Sequence, residues 1–147
     1  MEISVKHFSE LKPDELYGIL QLRERVFTFE QHCSEPDIDG FDKIAYHVFV
    51  TDEDGLEACL RMLPKGTLHE EVSFRRIVSA KRRQGFGAAV VKAATKAAKE
   101  RLNASAVEIS AQTHARKFYE EMGFTACGDT YEEAGIEHIK MVYKIND

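Results

Sequence analysis

The stretch Ile77-Val-Ser-Ala-Lys-Arg-Arg-Gln-Gly-Phe-Gly-Ala-Ala-Val90 constrains the fold more than any other part of the chain. A β-branched strand end runs into a basic turn with two glycines, and an alanine-rich helical pattern follows at once. Amide groups at a helix start lack partners within the helix, and the helix dipole adds partial positive charge there. Gly85 and Gly87 let the backbone approach a ligand closely, and Arg82 and Arg83 add positive charge. The stretch therefore predicts a phosphate-binding turn.

Composition favours one ordinary globular domain, and we expect residues 1–147 to form it. The chain is 44% hydrophobic and 31% charged, which suffices for a single core. A net charge of −5 argues against a general role in nucleic-acid binding. No apolar run approaches the roughly 20 residues of a membrane span, and no signal-peptide pattern is visible. Three widely spaced cysteines are typical of reduced thiols, so we expect a cytoplasmic protein without membrane contact.

Alternation and helical spacing predict an α/β (α+β) fold. Strands are predicted over 2–8, 46–51, 56–63, 71–79, 107–111, from 124 onwards and over 135–143, and helices over 14–27, 86–102 and 115–122. The three strands that directly precede the glycine turn are expected to be antiparallel. The pattern as a whole indicates a central twisted mixed β-sheet of about six to seven strands flanked by helices.

Three kinds of phosphate turn compete for the glycine stretch. A Walker loop requires Gly-x-x-x-x-Gly-Lys-Ser/Thr, which is missing from the chain. A dinucleotide fingerprint requires a third glycine, and Val90 stands in its place. The third pattern, Arg/Gln-x-x-Gly-x-Gly/Ala at a strand-to-helix turn, is met by Arg82-Arg-Gln-Gly85-Phe-Gly87.

That pattern, with Phe118-Tyr-Glu-Glu-Met-Gly-Phe124 downstream, resembles the GNAT superfamily of acyl-CoA N-acyltransferases. More narrowly, the chain is similar to the ElaA-type subfamily through five further motifs. These are Leu22-Arg-Glu-Arg-Val-Phe27, Glu30-Gln-His-Cys33, Asp37-Ile-Asp-Gly-Phe-Asp42, Ala111-Gln-Thr-His114 and Gly135-Ile-Glu-His-Ile-Lys-Met141. The resemblance implies a GNAT fold whose sheet is splayed where the acyl-CoA binds.

The resemblance also implies acetyl-CoA as co-substrate. The CoA pyrophosphate would lie on the backbone of residues 83–88, and the pantetheine arm would pair with the preceding strand end. A nearby backbone N–H would hold the thioester carbonyl. The predicted cofactor-binding residues are Ile77, Val78, Arg82, Arg83, Gln84, Gly85, Phe86, Gly87, Ala88, Gln112 and Tyr119.

Acyl transfer to an amine requires a base for the amine proton and an acid for the departing thiolate. Tyr119 matches the tyrosine of the family's second motif and is the predicted acid; the alternative is a packed core tyrosine. His138, a polar residue within an apolar strand, is the predicted base, and its alternative is a structural histidine. Glu71 or Glu30 acting through a water is the rival base.

The acceptor site is predicted to include Arg76, Glu30 and Arg23. Arg76 would hold an acceptor carboxylate or phosphate, or would pair with an acid of the loop 28–43. That acidic loop is either solvated or a negative lip that attracts a cationic amine. The histidines show no metal spacing, so no metal is predicted.

We therefore expect direct transfer of an acetyl group to the primary amine of a small molecule or a peptide. A non-catalytic acyl-CoA sensor or partner module is the alternative, and a nucleotide-binding protein is a third class. The sequence leaves open whether the chain acts as a monomer or as a homodimer.

Overall fold

The computed structural model describes residues 1–81 and 84–145, so the predicted contacts of Arg82 and Arg83 lie outside the described residues. The strands in this range are β1 (Glu2–His7), β2 (Tyr46–Asp52), β3 (Gly55–Leu63), β4 (Val72–Ser79), β5 (Ala106–Gln112), β6 (Thr125–Glu133) and β7 (Ile136–Lys144). The α-helices are α1 (Pro13–Arg23), α2 (Phe86–Leu102) and α3 (Arg116–Glu121).

The strands form one sheet in the order β1-β2-β3-β4-β5-β7-β6. All neighbouring strands are antiparallel except β4 and β5, which are parallel and are connected through α2. This arrangement confirms the predicted mixed sheet flanked by helices. The final hairpin inserts β7 between β5 and β6, so β7 pairs on both sides and β6 forms the edge of the sheet.

The sheet opens between β4 and β5. These strands pair only over Val72–Phe74 and Val107–Ile109, at the start of both strands. On its other edge, β4 shifts register against β3 between residues 75 and 78, and Arg76 takes a left-handed φ of 58° there. A bulge bends a strand and strengthens its twist, so β4 turns away from β5 after Phe74. The expected splay is confirmed.

Alternating side chains give the sheet one helix-covered layer on each face. On one face, Val48, Leu60 and neighbouring residues pack against α2, whose small side chains Ala94 and Ala98 are fully buried. On the other face, Phe49 and other apolar residues pack against α1. The many alanines of α2 allow the helix to lie close to the sheet.

The first helix does not continue to residue 27 as predicted. It ends at Arg23 and widens into a π-helical segment, Glu24–Glu30, in which the Gln31 amide donates to the Val26 carbonyl at 2.9 Å. The wider turn carries the chain over the open side of the sheet. Among the described residues, no helix combines the length and apolar character needed to cross a bilayer.

Candidate active site

A cavity of about 550 Å³ fills the opening between β4 and β5. Its walls are the ends of these two strands, the start of α2, helix α3, the segment after α1 and the β6–β7 hairpin. Most of the predicted site residues line it: Arg76, Ile77, Val78, Gln84, Gly85, Phe86, Gly87, Ala88, Gln112, Tyr119 and His138.

The start of α2 supplies backbone donors at one end of this cavity. The first bond of the helix runs from the Ala89 amide to the Gly85 carbonyl at 3.0 Å, so the three amides before residue 89 have no acceptor within the helix. Gly85 has a φ of 80°, which strains any other residue. A Cβ on Gly87 would lie 3.0 Å from the Ser79 Oγ. Gly87 therefore permits α2 to begin close against the end of β4.

The free edge of β4 borders the cavity beside these amides. Val78 pairs with Cys59 of β3 on one side, while its other side faces the opening, because pairing with β5 ends at Phe74. An extended ligand can pair with such an edge as an added strand does. The residues present therefore fit both the pyrophosphate and the arm of an acyl-CoA.

Tyr119 lies on the cavity wall within an aromatic cluster. Its ring makes edge contacts with Phe118 and Phe124, with centroids 5.1 and 5.8 Å apart. Only 8% of the residue is exposed, and burial raises the pKa of its hydroxyl above the ordinary range. No protein hydrogen bond to this hydroxyl is found among residues 1–81 and 84–145. Tyr119 therefore presents a protonated hydroxyl at neutral pH.

His138 is buried on β7 and lines the same cavity. Its Nδ1 lies 2.7 Å from the Ile136 carbonyl oxygen, which only accepts hydrogen bonds. Nδ1 must therefore carry a proton, and in the neutral ring Nε2 holds the free lone pair. Nε2 lies 3.6 Å from Oε2 of Glu133, and the ring stacks on Tyr131. This tautomer is the one that accepts a proton at Nε2.

Glu133, which the sequence reasoning missed, lines the cavity beside His138. A two-residue turn, Ala134-Gly135, joins β6 to β7, and both turn residues have positive φ. This turn pairs Tyr131 with His138, so Glu133 becomes a diagonal neighbour of the histidine on the same face. Recognising Ala134-Gly135 as a two-residue turn, with its glycine opening the Gly-x-x-His motif, would have identified Glu133 from the sequence.

Three arginines and three aspartates form an ion cluster beside the cavity. Its shortest pairs have N–O distances of 2.7, 2.8 and 2.9 Å: Arg23–Asp42, Arg61–Asp39 and Arg76–Asp37. Arg76 and Asp37 form an ion pair, but their atoms do not have the geometry of a hydrogen bond. The three aspartates of the loop 28–43 are therefore not a free negative lip, because arginines from α1, β3 and β4 pair with them, although most other residues of the loop are exposed.

Burial and pairing act in opposite directions on the ionisation of the cluster. Burial alone would raise the pKa of Asp42, but the hydrogen bonds and charges of Arg23 and Arg61 outweigh it and lower the pKa. The pKa of Asp39 is lowered in the same way by Arg61 and Arg76. Burial lowers the pKa of Arg76, although the guanidinium stays charged. The lowered pKa values keep Asp39 and Asp42 ionised near neutral pH.

The residues predicted to bind the acceptor do not lie together in the structure. Arg23 is 1% exposed, bonds Asp42 and does not line the cavity, so its predicted contact with the acceptor is replaced by a structural role. Glu30 is half exposed outside the lining, 3.7 Å from Arg25. Glu71 precedes β4 at the end remote from the opening. Arg76 lines the cavity and also makes the predicted ion pair with the acidic loop.

The segment after the π-helical turn closes one side of the cavity. Gln112 donates to the Gln31 side-chain oxygen at 2.8 Å, and the Ser34 amide donates to the Ala134 carbonyl at 3.1 Å. Cys33 lies in this wall, and burial raises the pKa of its thiol despite the opposing charge of Arg76. These bonds attach the loop to β5 and to the final hairpin.

The cysteines differ in exposure. Cys59 is buried, whereas Cys127 is exposed. Within the part of the chain that the structure describes, one acidic group has metal-like spacing: Asp52, Asp54 and Glu57. The Lys81 Nζ lies 3.0 Å from a carboxylate oxygen of Asp54 and 3.0 Å from one of Glu57, so a lysine ammonium already pairs with two members of the group. The group lies outside the lining of the cavity.

Comparison with known proteins agrees with this geometry. A family model described as an acetyltransferase (GNAT) domain matches residues 20–145. A "UPF0039 protein" from Synechocystis sp. is 38% identical over 99% of this chain and 97% of its own length. Protein ElaA from Escherichia coli is 34% identical over 95% of this chain and 94% of its own.

Two solved structures share the fold over almost the whole chain. The crystal structure of an acyl-CoA N-acyltransferase from Pseudomonas aeruginosa superposes with a TM-score of 0.87 at 33% identity, covering 97% of this chain and 99% of that one. Escherichia coli ElaA superposes with a TM-score of 0.88 at 33% identity and the same coverage. The splayed sheet, the helix start beside it and these relatives together show that the chain belongs to the GNAT acetyltransferase family and is an ElaA-type acyltransferase.

Proposed function

We propose that the chain, acting as a single domain over residues 1–147, transfers an acetyl group from acetyl-CoA directly to the primary amine of a small molecule or peptide. The observation that carries the proposal is that a proton acceptor and a proton donor line the same cavity. The Nε2 of His138 is free to accept a proton, and the Tyr119 hydroxyl is held protonated. Both border the opening that the family uses for its acyl donor.

The donor would be held by backbone more than by side chains. The amides of Phe86, Gly87 and Ala88 would bind the pyrophosphate, and the free edge of β4 at Ile77 and Val78 would hold the arm. When bound, acetyl-CoA supplies an activated thioester carbonyl. The cavity wall at this point is largely apolar, which excludes water from the carbonyl and limits hydrolysis.

The two side chains would then divide the proton transfers. The amine nitrogen forms the new C–N bond and loses its proton to the Nε2 of His138. The C–S bond breaks with its electron pair on sulfur, and the Tyr119 hydroxyl gives its proton to that sulfur. The products are the amide and the free thiol. Solvent then returns a proton to Tyr119 and takes one from His138, so no covalent enzyme intermediate is required.

Thiol release from acetyl-, butyryl- and hexanoyl-CoA across an amine panel tests the proposal. We expect amine-dependent release that is fastest with acetyl-CoA. Tyr119→Phe should lower kcat by about 100-fold or more while binding of CoA is retained, because only the proton donor is lost. Tyr17→Phe, at an exposed tyrosine on α1, is the matched control and should leave the rate unchanged.

Two outcomes would contradict the proposal. If no amine raises thiol release above hydrolysis while acetyl-CoA still binds, the chain acts as an acyl-CoA sensor. If a longer acyl donor is preferred over acetyl-CoA by tenfold or more, the acetyl assignment is wrong.

A further inference from the structure

Four neighbouring strands meet at the acceptor end of the cavity and bring together Arg75, Ser110, Glu133 and His138. We refer to this group as the Arg75–Glu133 subsite. Arg75 comes from β4, Ser110 from β5, Glu133 from the end of β6 and His138 from β7. The subsite therefore spans the opening of the sheet and contains both a positive and a negative side chain.

Glu133 has loose contacts with its neighbours. Its Oε2 lies 3.4 Å from Nη2 of Arg75 and 3.4 Å from Oγ of Ser110. Charge-assisted bonds are commonly about 2.7–2.9 Å long, so both contacts are near the limit of a hydrogen bond. Among the described residues no hydrogen bond to Oε1 is found. The carboxylate therefore retains capacity for a cationic partner.

Arg75 also has unused capacity. Its side chain is 15% exposed, and its one ion pair within the described chain is the long contact with Glu133. A guanidinium has five N–H donors and binds carboxylates in a fork. The contrast with Arg23 is direct, because that guanidinium bonds two aspartates at 2.7 and 2.9 Å. Arg75 and Glu133 thus lie side by side, but neither uses its full hydrogen-bonding capacity on the other.

We propose that the Arg75–Glu133 subsite binds a zwitterionic acceptor, an amine that carries a carboxylate one or two carbons away. This inference rests on the proposed function. The carboxylate of the acceptor binds Arg75, and its ammonium binds Glu133 beside the Nε2 of His138. The ammonium loses one proton to solvent before attack, and as the C–N bond forms the amine nitrogen gives its second proton to that Nε2, which becomes a cation next to Glu133. Glu133 is therefore both a specificity residue and a partner of the charged histidine.

Three acceptors of similar size separate this proposal from its rivals: β-alanine, its uncharged amide, and diaminopropane. With the wild-type protein, kcat/KM for β-alanine should exceed that for the amide by tenfold or more. Arg75→Gln should lower kcat/KM for β-alanine by about 10- to 100-fold, mainly through KM, and leave the amide unchanged. Glu133→Gln should lower kcat/KM for both acceptors, because both carry an ammonium.

Matched controls use residues away from the cavity. Glu132→Gln changes the residue next to Glu133. The side chain of Glu132 points to the opposite face of β6 and is exposed. Arg116→Gln changes an exposed arginine of α3 that pairs with Glu120. Both controls should retain wild-type kinetics. Arg75→Lys keeps the charge without the fork and should fall between wild type and Arg75→Gln, which separates recognition from misfolding.

The outcomes distinguish the two proposals. Preference for diaminopropane over β-alanine, or equal rates for β-alanine and its amide in both wild type and Arg75→Gln, overturns the zwitterion subsite and leaves amine acetylation standing. The absence of transfer to every amine, with acetyl-CoA still bound, overturns the proposed function itself.

Discussion

Replacing Asp42 with asparagine tests whether the ion cluster holds the acidic loop in place. Asp42 accepts bonds from Arg23 at 2.7 and 3.2 Å and from Arg61 at 3.2 Å, and both arginines are only 1% exposed. Removing one partner of a buried ion pair costs about 3–5 kcal/mol, because the remaining charge stays desolvated. Asparagine keeps one acceptor oxygen, so we expect a loss of about 3 kcal/mol in the free energy of unfolding.

Urea unfolding followed by far-ultraviolet circular dichroism measures this loss. Asp129→Asn, at an exposed position of β6 without a contact in the described structure, should change the free energy of unfolding by less than about 0.5 kcal/mol. A loss below about 1 kcal/mol for Asp42→Asn would refute the reasoning, because it would mean that the cluster contributes no more than surface pairs do.

Acid provides an independent measurement of the same cluster. Burial raises the pKa of Asp39 and Asp42, but the hydrogen bonds and charges of the arginines lower it by more. The pKa values of both residues are therefore lower in the folded chain than in the unfolded one. Their contribution is complete above about pH 4 and is lost as the pH falls through the lower folded-state values. The unfolding free energy of the wild type should therefore fall below about pH 4, and that of Asp42→Asn should fall less steeply.

Further predictions concern backbone strain and thiol reactivity. Gly123→Ala should cost more stability than Gly85→Ala in urea unfolding, because both have positive φ but only the Cβ at Gly123 would meet a ring, at 2.7 Å. We expect about 1–2 kcal/mol for Gly85→Ala and about 3 for Gly123→Ala. Under a thiol reagent at neutral pH, exposed Cys127 should react first and Cys33 more slowly. Cys59, whose pKa burial raises to about 12, should react only on unfolding, and early labelling would contradict its burial.

The fold and the donor side of the site followed from local patterns in the sequence. Strand alternation and the alanine-rich helical pattern of α2 are short-range features, and each was realised close to its predicted position. The glycine turn was interpretable for the same reason, since a strand, two glycines and a helix start are contiguous. The position of Arg82 and Arg83 in that turn stays a prediction.

The acceptor side did not follow, because it depends on contacts between distant segments. Asp39 meets Arg61 across 22 positions and Arg75 meets Glu133 across 58. No periodicity encodes such pairs, so the acidic loop was interpreted as solvated or as a lip. The π-helical turn was missed because its residues have ordinary helical spacing, and only the hydrogen-bond pattern distinguishes it.

The short parallel pairing of β4 and β5 has a consequence for the energetics of the free protein. Only three residue pairs join the two halves of the sheet, and the backbone amides beyond them lack ladder partners on that side. We expect these amides to exchange with deuterium faster than those of β2 and β3. An acyl donor that occupies the gap would complete the ladder. As the donor concentration increases, the exchange rate of these amides should fall and the melting temperature of the protein should rise.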